Sequence, residues 1–167
     1  MRFFLIFSLA LSLYADKLLV LSSDEKLQTL WQSYMDSDPE HIEAYFIQKT
    51  DSGTLNETIL SMEAFLPRLN EFDYVLRTEL SPSSIFPRLL DHLKTLPKTG
   101  LYSAPPIYHL TDQPIGSGSA ILLSPDLVEL IVAHKHQLLN QQPPDHIVLG
   151  FFLLRYGFSL LPLESIE

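Results

Sequence analysis

The stretch Asp73–Pro82, DYVLRTELSP, decides the fold of this sequence. Its first six residues, Asp73–Thr78, place an aromatic and a β-branched residue among apolar neighbours, which is typical of a buried strand. Proline directly after Ser81 favours the first turn of a helix. The stretch therefore predicts a strand that passes through a short loop into a helix.

The same alternation of strand and helix extends in both directions along the chain. Lys17–Leu21 and Ala44–Ile47 are short apolar runs that predict two earlier strands. Leu101–Ile107 is either a strand or a loop, because two prolines interrupt it. Ile115–Leu123 predicts a strand interrupted by glycine and serine, and Phe158–Leu163 predicts a last strand or a packed tail.

Segments with apolar residues at helical spacing separate these strands. Ser22 and Glu25 stand in capping-box spacing before the first such helix. Asn56 is positioned to cap a second helix. The helix that follows Ser81 is the third, and Ser124, which is followed by proline and aspartate, predicts the start of a fourth helix that continues to Leu138.

This order of elements predicts the fold class. Strands that alternate with helices favour an α/β fold, with a mostly parallel sheet and helices on both faces. The 167 residues suit a single domain, and the 46% of hydrophobic residues provide a sizeable core. No internal repeat or linker-like stretch divides the chain.

Charge and cysteine content exclude several classes of function. The formal net charge is −9, which disfavours nucleic-acid binding because an acidic surface repels phosphate backbones. An acidic surface is still compatible with binding of a small phosphorylated ligand, because one cation next to the ligand outweighs the field of the more distant negative charges. The chain has no cysteine, and this removes disulfides, thiolate catalysis and cysteine-based zinc sites.

The N-terminus predicts an export signal. Met1-Arg2 is followed by the apolar run Phe3–Leu13, which is too short for a bilayer span. Residues 1–15 are therefore expected to be a signal peptide; a buried first strand or an uncleaved membrane anchor are the alternatives. The mature domain would span residues 16–167 and lie in the secretory pathway, in the Golgi or ER lumen of a eukaryotic host. Asn56-Glu57-Thr58 is a glycosylation sequon.

Three segments in order carry a resemblance to known enzymes. They are DYVLRT (Asp73–Thr78), GSGSAILLS (Gly116–Ser124) leading into a helix, and PDHIVLG (Pro144–Gly150). Together they resemble the β-1,3-galactosyltransferase and Fringe-like families, whose members have the GT-A fold. Those families carry an Asp-x-Asp motif after a strand, then a Gly-Ser-Gly turn, and later a Glu-Asp-Val-x-x-Gly segment. The resemblance covers about Phe72 to Phe158.

The resemblance implies a glycosyltransferase. A single GT-A-like (Rossmann-like) domain would transfer a hexose from a nucleotide sugar to the hydroxyl of a glycan or other acceptor, with inversion. The alternative is a catalytically inactive relative that acts as an exported sugar- or nucleotide-binding or protein-interaction module. No nucleic-acid partner is expected, and the membrane would be contacted only through an uncleaved N-terminus.

The metal-binding motif of these families is eroded here. The Asp-x-Asp motif holds a divalent cation against the donor diphosphate, but Thr78–Ser81 contains only one acid, Glu79. One carboxylate binds Mn²⁺ or Mg²⁺ weakly beside substrate phosphates. Glu79 is accordingly a solvated loop carboxylate, a lone metal ligand, or a direct contact to the donor sugar or ribose.

Arg77 and Asp145 are the other charged candidates. Arg77 suits a diphosphate clamp, and its alternative role is to pair with a carboxylate such as Asp73. Asp145 aligns with the acid of the Glu-Asp-Val segment, where a carboxylate takes the acceptor proton. Asp145 is also positioned to cap a final helix from about His146 to Tyr156. His146 is a candidate base or ligand, although the expectation for a histidine in the first turn is an exposed side chain.

The glycine-rich turn completes the candidate site. Gly116 and Gly118, on either side of Ser117, allow a backbone to approach a ligand or another strand closely. A strand bulge is the alternative. In α/β sheets, ligands bind at the carboxyl ends of the strands, where these segments are expected to meet.

Overall fold

The computed structural model describes residues 17–22, 25–37, 42–46, 54–81, 89, 91–108, 112–139 and 141–163. The predicted signal peptide at residues 1–15 lies outside the described residues. So does most of the helix predicted to begin after Ser81.

The described elements follow the predicted alternation. The strands are β1 (Leu18–Ser22), β2 (Ile42–Phe46), β3 (Tyr74–Thr78), β4 (Tyr102–Ala104), β5 (Pro106–Ile107), β6 (Ile115–Gly116), β7 (Ala120–Leu123) and β8 (Leu161–Pro162). The helices are α1 (Gln28–Ser37), α2 (Thr54–Phe65), α3 (Pro125–Ala133), α4 (Lys135–Leu138) and α5 (Asp145–Arg155). Short 3₁₀ turns at Glu25–Leu27 and Leu66–Glu71 precede α1 and follow α2.

Six of these strands form the central sheet, in the order β2-β1-β3-β7-β4-β8. All pairings are parallel except the two that β7 makes with β3 and β4. The predicted α/β class with a mostly parallel sheet is therefore confirmed. Strands β5 and β6 form a separate antiparallel pair.

The sheet divides the core into two layers. Leu19 and Leu21 of β1 and Val75 of β3 pack on one face with residues of α2, α3 and α5; we call this the α5 face. Leu18 and Val20 pack on the opposite face, which includes Trp31 of α1. Helices cover both faces, because alternate residues of a strand point to opposite sides.

The predicted strand Ile115–Leu123 is wrong in one respect. The structure divides it into β6 and β7, which belong to different sheets. The chain turns between them at Gly118 and Ser119, and the N–H of Ser117 donates to the carbonyl of Pro105 at 2.7 Å. This turn makes β7 run back antiparallel to β3.

One predicted helix cap is also wrong. Within the described chain, the buried hydroxyl of Ser22 has no hydrogen-bond partner, so it does not cap a helix. Ser124 lies at the N-cap of α3, as predicted, but its hydroxyl accepts the N–H of Leu101 at 2.8 Å and makes no capping bond. Helix α3 also ends at Ala133 rather than continuing to Leu138. The hydroxyl of Ser124 thus bonds a residue distant in sequence, where spacing alone predicted a local bond.

Helix α2 begins at Thr54, so Asn56 lies inside its first turn rather than before it. The sequon therefore lies within α2, and its Thr58 is fully buried. Among the described residues, no helix combines the length and the apolar character that a membrane crossing requires.

Candidate functional site

Arg77 lies near the carboxyl end of β3, on the α5 face of the sheet. Its strand neighbours in register are Leu21 of β1 and Ile121 of β7, both buried. The side chain of Arg77 is only 2% exposed. A guanidinium at this depth requires hydrogen-bonded, charged partners, because an isolated charge in an apolar layer is very costly.

Two carboxylates and one carbonyl partner the guanidinium of Arg77. Its Nη2 lies 2.9 Å from Asp145 Oδ2 and 2.9 Å from Glu79 Oε1. Its Nη1 donates to the carbonyl of Gly118. We call these four residues the Arg77 cluster. The alternative partner Asp73 instead bonds Lys98 and the N–H of Lys17.

Of the two carboxylates that contact Arg77, Asp145 is the buried one, with a side chain only 4% exposed. Its Oδ2 also accepts a bond from Thr58 Oγ1 at 3.4 Å, and its Oδ1 accepts the N–H of His146 at 2.8 Å. Asp145 is the first residue of α5, where the helix dipole favours a carboxylate. The predicted N-cap role is wrong, since Pro144 occupies that position without a side-chain bond.

The glycine-rich turn is fixed to β3 and β4 by hydrogen bonds. The N–H of Glu79 and the hydroxyl of Thr78 both donate to the carbonyl of Ser119, at 3.1 and 3.0 Å. The hydroxyls of Ser117 and Ser119 lie 2.8 Å apart. These bonds hold the carbonyl of Gly118 over the end of β3, where Arg77 reaches it.

His146 packs directly on Gly118. An added Cβ at Gly118 would lie 2.7 Å from His146 Nδ1, so only glycine leaves room for the ring. The same nitrogen lies 3.7 Å from Asp145 Oδ1. The side chain of His146 is 20% exposed, so it is half-buried rather than exposed as expected.

Tyr102 supports the turn from below. Its hydroxyl accepts the N–H of Gly116 at 2.7 Å, and added Cβ atoms at Gly116 and Gly150 would each lie 3.0 Å from that oxygen. Burial raises the pKa of Tyr102, so the phenol stays protonated at neutral pH. This hydroxyl ties β4, β6 and α5 together beneath the candidate site.

We expect Tyr102→Phe to lower the free energy of unfolding by about 1–3 kcal/mol, because the buried N–H of Gly116 loses its acceptor. Urea denaturation measures the change. Tyr156→Phe is the matched control, since that ring is 40% exposed, and it should change stability little. Equal effects of the two substitutions would contradict the supporting role of the Tyr102 hydroxyl.

The donor set does not fit a divalent cation held by the protein. Within the described residues, no group of three or more histidines and acids is arranged to hold a metal ion. The carboxylate of Glu79 is already engaged by Arg77. The cluster holds one guanidinium and two carboxylates, which makes its net charge −1. The described residues of the cluster therefore do not form a metal site by themselves.

The structure brings the predicted residues together. Arg77, Glu79, Gly118 and Asp145 are joined directly, while Gly116 and Ser117 lie in the segment that leads into the turn. The sequence did not predict that Thr58 and Tyr102 contribute to the site, or that His146 packs on Gly118. Thr58 had a detectable signal, because it lies beside Ile59 and one helical turn after Leu55 in the buried stripe of α2.

The site lies at the topological switch point of the sheet. From β1 the chain crosses to β2 on one side and then returns to β3 on the other, so the strand order reverses between β1 and β3, which is where α/β sheets of this kind bind ligands. Arg77 and Thr78 stand at this edge.

Comparisons with known proteins support the same fold class. No family model and no curated protein matches the chain. Among solved structures, the chain is similar to one described as the crystal structure of a glycosyltransferase involved in the glycosylation of the major capsid of PBCV-1. The TM-score is 0.53 at 11% identity, over 87% of this chain and 81% of that chain. The chain therefore has a glycosyltransferase-like fold.

Proposed function

We propose that this protein is a glycosyltransferase that moves a hexose from a nucleotide sugar to an acceptor hydroxyl, with inversion. The observation that supports it is the Arg77 cluster, which assembles at the switch point of a glycosyltransferase-like fold. The ordered segments that resemble the β-1,3-galactosyltransferase and Fringe-like families add to this proposal.

The charges of the cluster suggest how a donor is bound. Arg77 is the cation of the cluster and would contact the donor diphosphate, since guanidinium matches phosphate geometry. Glu79 is 50% exposed and is the partner that a phosphate can replace without opening the core. Its carboxylate would then accept a bond from a donor hydroxyl. The glycine-rich turn would line the site beside the donor, through Gly116, Ser117 and Gly118.

Asp145 would take part in removing the proton of the acceptor hydroxyl. In an inverting transfer, the acceptor oxygen attacks the anomeric carbon while a base takes its proton. Asp145 remains the proposed carboxylate for this step, held by Arg77 and Thr58. Export into a secretory compartment after removal of residues 1–15 also remains a proposal.

One observation favours the alternative function. The charge of Arg77 is paired within the protein by Glu79 and Asp145. Such internal pairing is expected in a relative that binds sugars or nucleotides without transferring them. Such a protein would be an exported binding or protein-interaction module.

A ligand screen tests the proposal and separates these alternatives. We expect UDP-glucose, UDP-galactose or GDP-mannose to raise the melting temperature of the full chain, because a ligand at 100 times its dissociation constant stabilises by about 2.7 kcal/mol. AMP, which has no diphosphate, is the control. We expect the shift to be independent of Mn²⁺.

Transfer from the bound donor to a panel of methyl glycosides then decides the function. Binding with transfer supports the glycosyltransferase, and binding without transfer supports the inactive relative. A protein that none of these nucleotide sugars stabilises contradicts both.

A further inference from the structure

The groups around Gly118 differ sharply in their access to solvent. Arg77 and Asp145 are 2% and 4% exposed, and both oxygens of Asp145 already accept hydrogen bonds. His146 is 20% exposed and Glu79 is 50% exposed. An acceptor hydroxyl that approaches from solvent therefore meets the imidazole before it meets the buried carboxylate.

The carboxylate of Asp145 is also committed to Arg77, whose Nη2 lies 2.9 Å from its Oδ2. Within the described residues, no other buried carboxylate faces Arg77. Asp145 is thus placed to hold Arg77 and the first turn of α5 rather than to contact an acceptor.

The imidazole has the geometry of a base supported by a carboxylate. Its Nδ1 lies on the Asp145 side, 3.7 Å from Oδ1, and the inference requires the ring to rotate until the two atoms are within hydrogen-bond distance. Nδ1 then carries the proton and Nε2 carries the lone pair. Gly118 leaves the space in which the ring lies.

We propose that His146 takes the proton from the acceptor hydroxyl and that Asp145 is the positioning carboxylate behind it. The inference rests on the proposed glycosyl transfer and replaces Asp145 with His146 as the group that contacts the acceptor.

The step balances with the donor and the acceptor alone. The acceptor oxygen forms a bond to the anomeric carbon as the bond from that carbon to the phosphate oxygen breaks, and its electron pair leaves with the nucleoside diphosphate. The acceptor proton passes to Nε2 of His146. The imidazolium, stabilised by the charge of Asp145, then returns the proton to water.

An acceptor that carries no proton separates proton removal from every other role of His146. Azide attacks the anomeric carbon as an anion and needs no base. With UDP-glucose, UDP-galactose or GDP-mannose as donor, we expect His146→Gln to slow transfer to methyl glycosides about 100-fold or more. Transfer to azide should stay within about twofold of the unsubstituted protein, because no proton is removed. Donor affinity, measured by calorimetry, should not change.

Two further variants control the experiment. His136→Gln changes an exposed histidine of α4 and should leave both reactions unchanged. His146→Asn also removes the proton acceptor and leaves Gly118, whose carbonyl accepts from Arg77, unchanged. It should slow transfer to hydroxyls and spare azide, and it provides the same test if His146→Gln does not fold.

Each result has a distinct meaning. If His146→Gln transfers to hydroxyls as fast as the unsubstituted protein, or slows azide equally, the inference is overturned and the proposed function stands. An unsubstituted protein that transfers to neither acceptor overturns both.

Discussion

Replacing Arg77 with methionine is expected to lower the free energy of unfolding by about 3–5 kcal/mol, the cost of removing one partner of a buried ion pair. Methionine keeps much of the volume of the side chain but leaves Asp145 charged, 4% exposed and facing an apolar layer. The bond from Thr58 is long, at 3.4 Å, and cannot compensate for the missing guanidinium. Urea denaturation measures the difference.

Two companion variants identify the buried pair as the cause. Glu79→Gln removes the exposed partner of the same guanidinium and should cost at most about 1 kcal/mol, as surface pairs do. Arg77→Met combined with Asp145→Leu removes both charges and should recover most of the loss. If Arg77→Met costs no more than Glu79→Gln, the buried pair does not hold the sheet to α5.

Gly116→Ala is expected to have the second large effect on stability, about 1–3 kcal/mol, which is typical of overpacking in a filled core. Its new Cβ would lie 2.5 Å from the Cβ of Ala104 and 3.0 Å from the hydroxyl of Tyr102. Ala104 is a residue of β4 inside the sheet, so its Cβ cannot move away without shifting the strand.

Gly118→Ala provides the matched comparison, because its Cβ meets the ring of His146, which can rotate out. We expect a smaller loss of stability there than at Gly116. Ala104→Gly in combination with Gly116→Ala should relieve the nearest contact and restore part of the stability. A Gly116→Ala protein as stable as Gly118→Ala would show that the turn does not pack as tightly as described.

Local sequence signals predicted most of the strands and helices. DYVLRT became β3 almost unchanged, because its aromatic and β-branched residues suit a fully buried strand. The final helix began one residue before the predicted position. Both segments carry their own periodicity and their own end signals, and neither depends on distant contacts.

The partners of each side chain were less predictable. No periodicity indicates that Arg77 contacts Asp145, because the two are brought together only by packing α5 onto the sheet. Likewise, the spacing of Gly116 and Gly118 did not distinguish a bulge from a turn between two sheets. The ordered resemblance to glycosyltransferases placed these residues in one site, and the burial of Asp145 emerged only from the fold.

The Arg77 cluster also constrains the order in which a newly made chain can fold. A chain emerging from the ribosome contains Arg77 well before Asp145, and at ordinary rates of synthesis the gap lasts on the order of several seconds. By the end of that interval five strands of the sheet have been synthesised, but Arg77 still lacks its buried counter-charge and the sheet lacks α5. The part of the chain before Asp145 is therefore expected to form no stable compact state of its own, and the domain is expected to fold after its last helix has been synthesised.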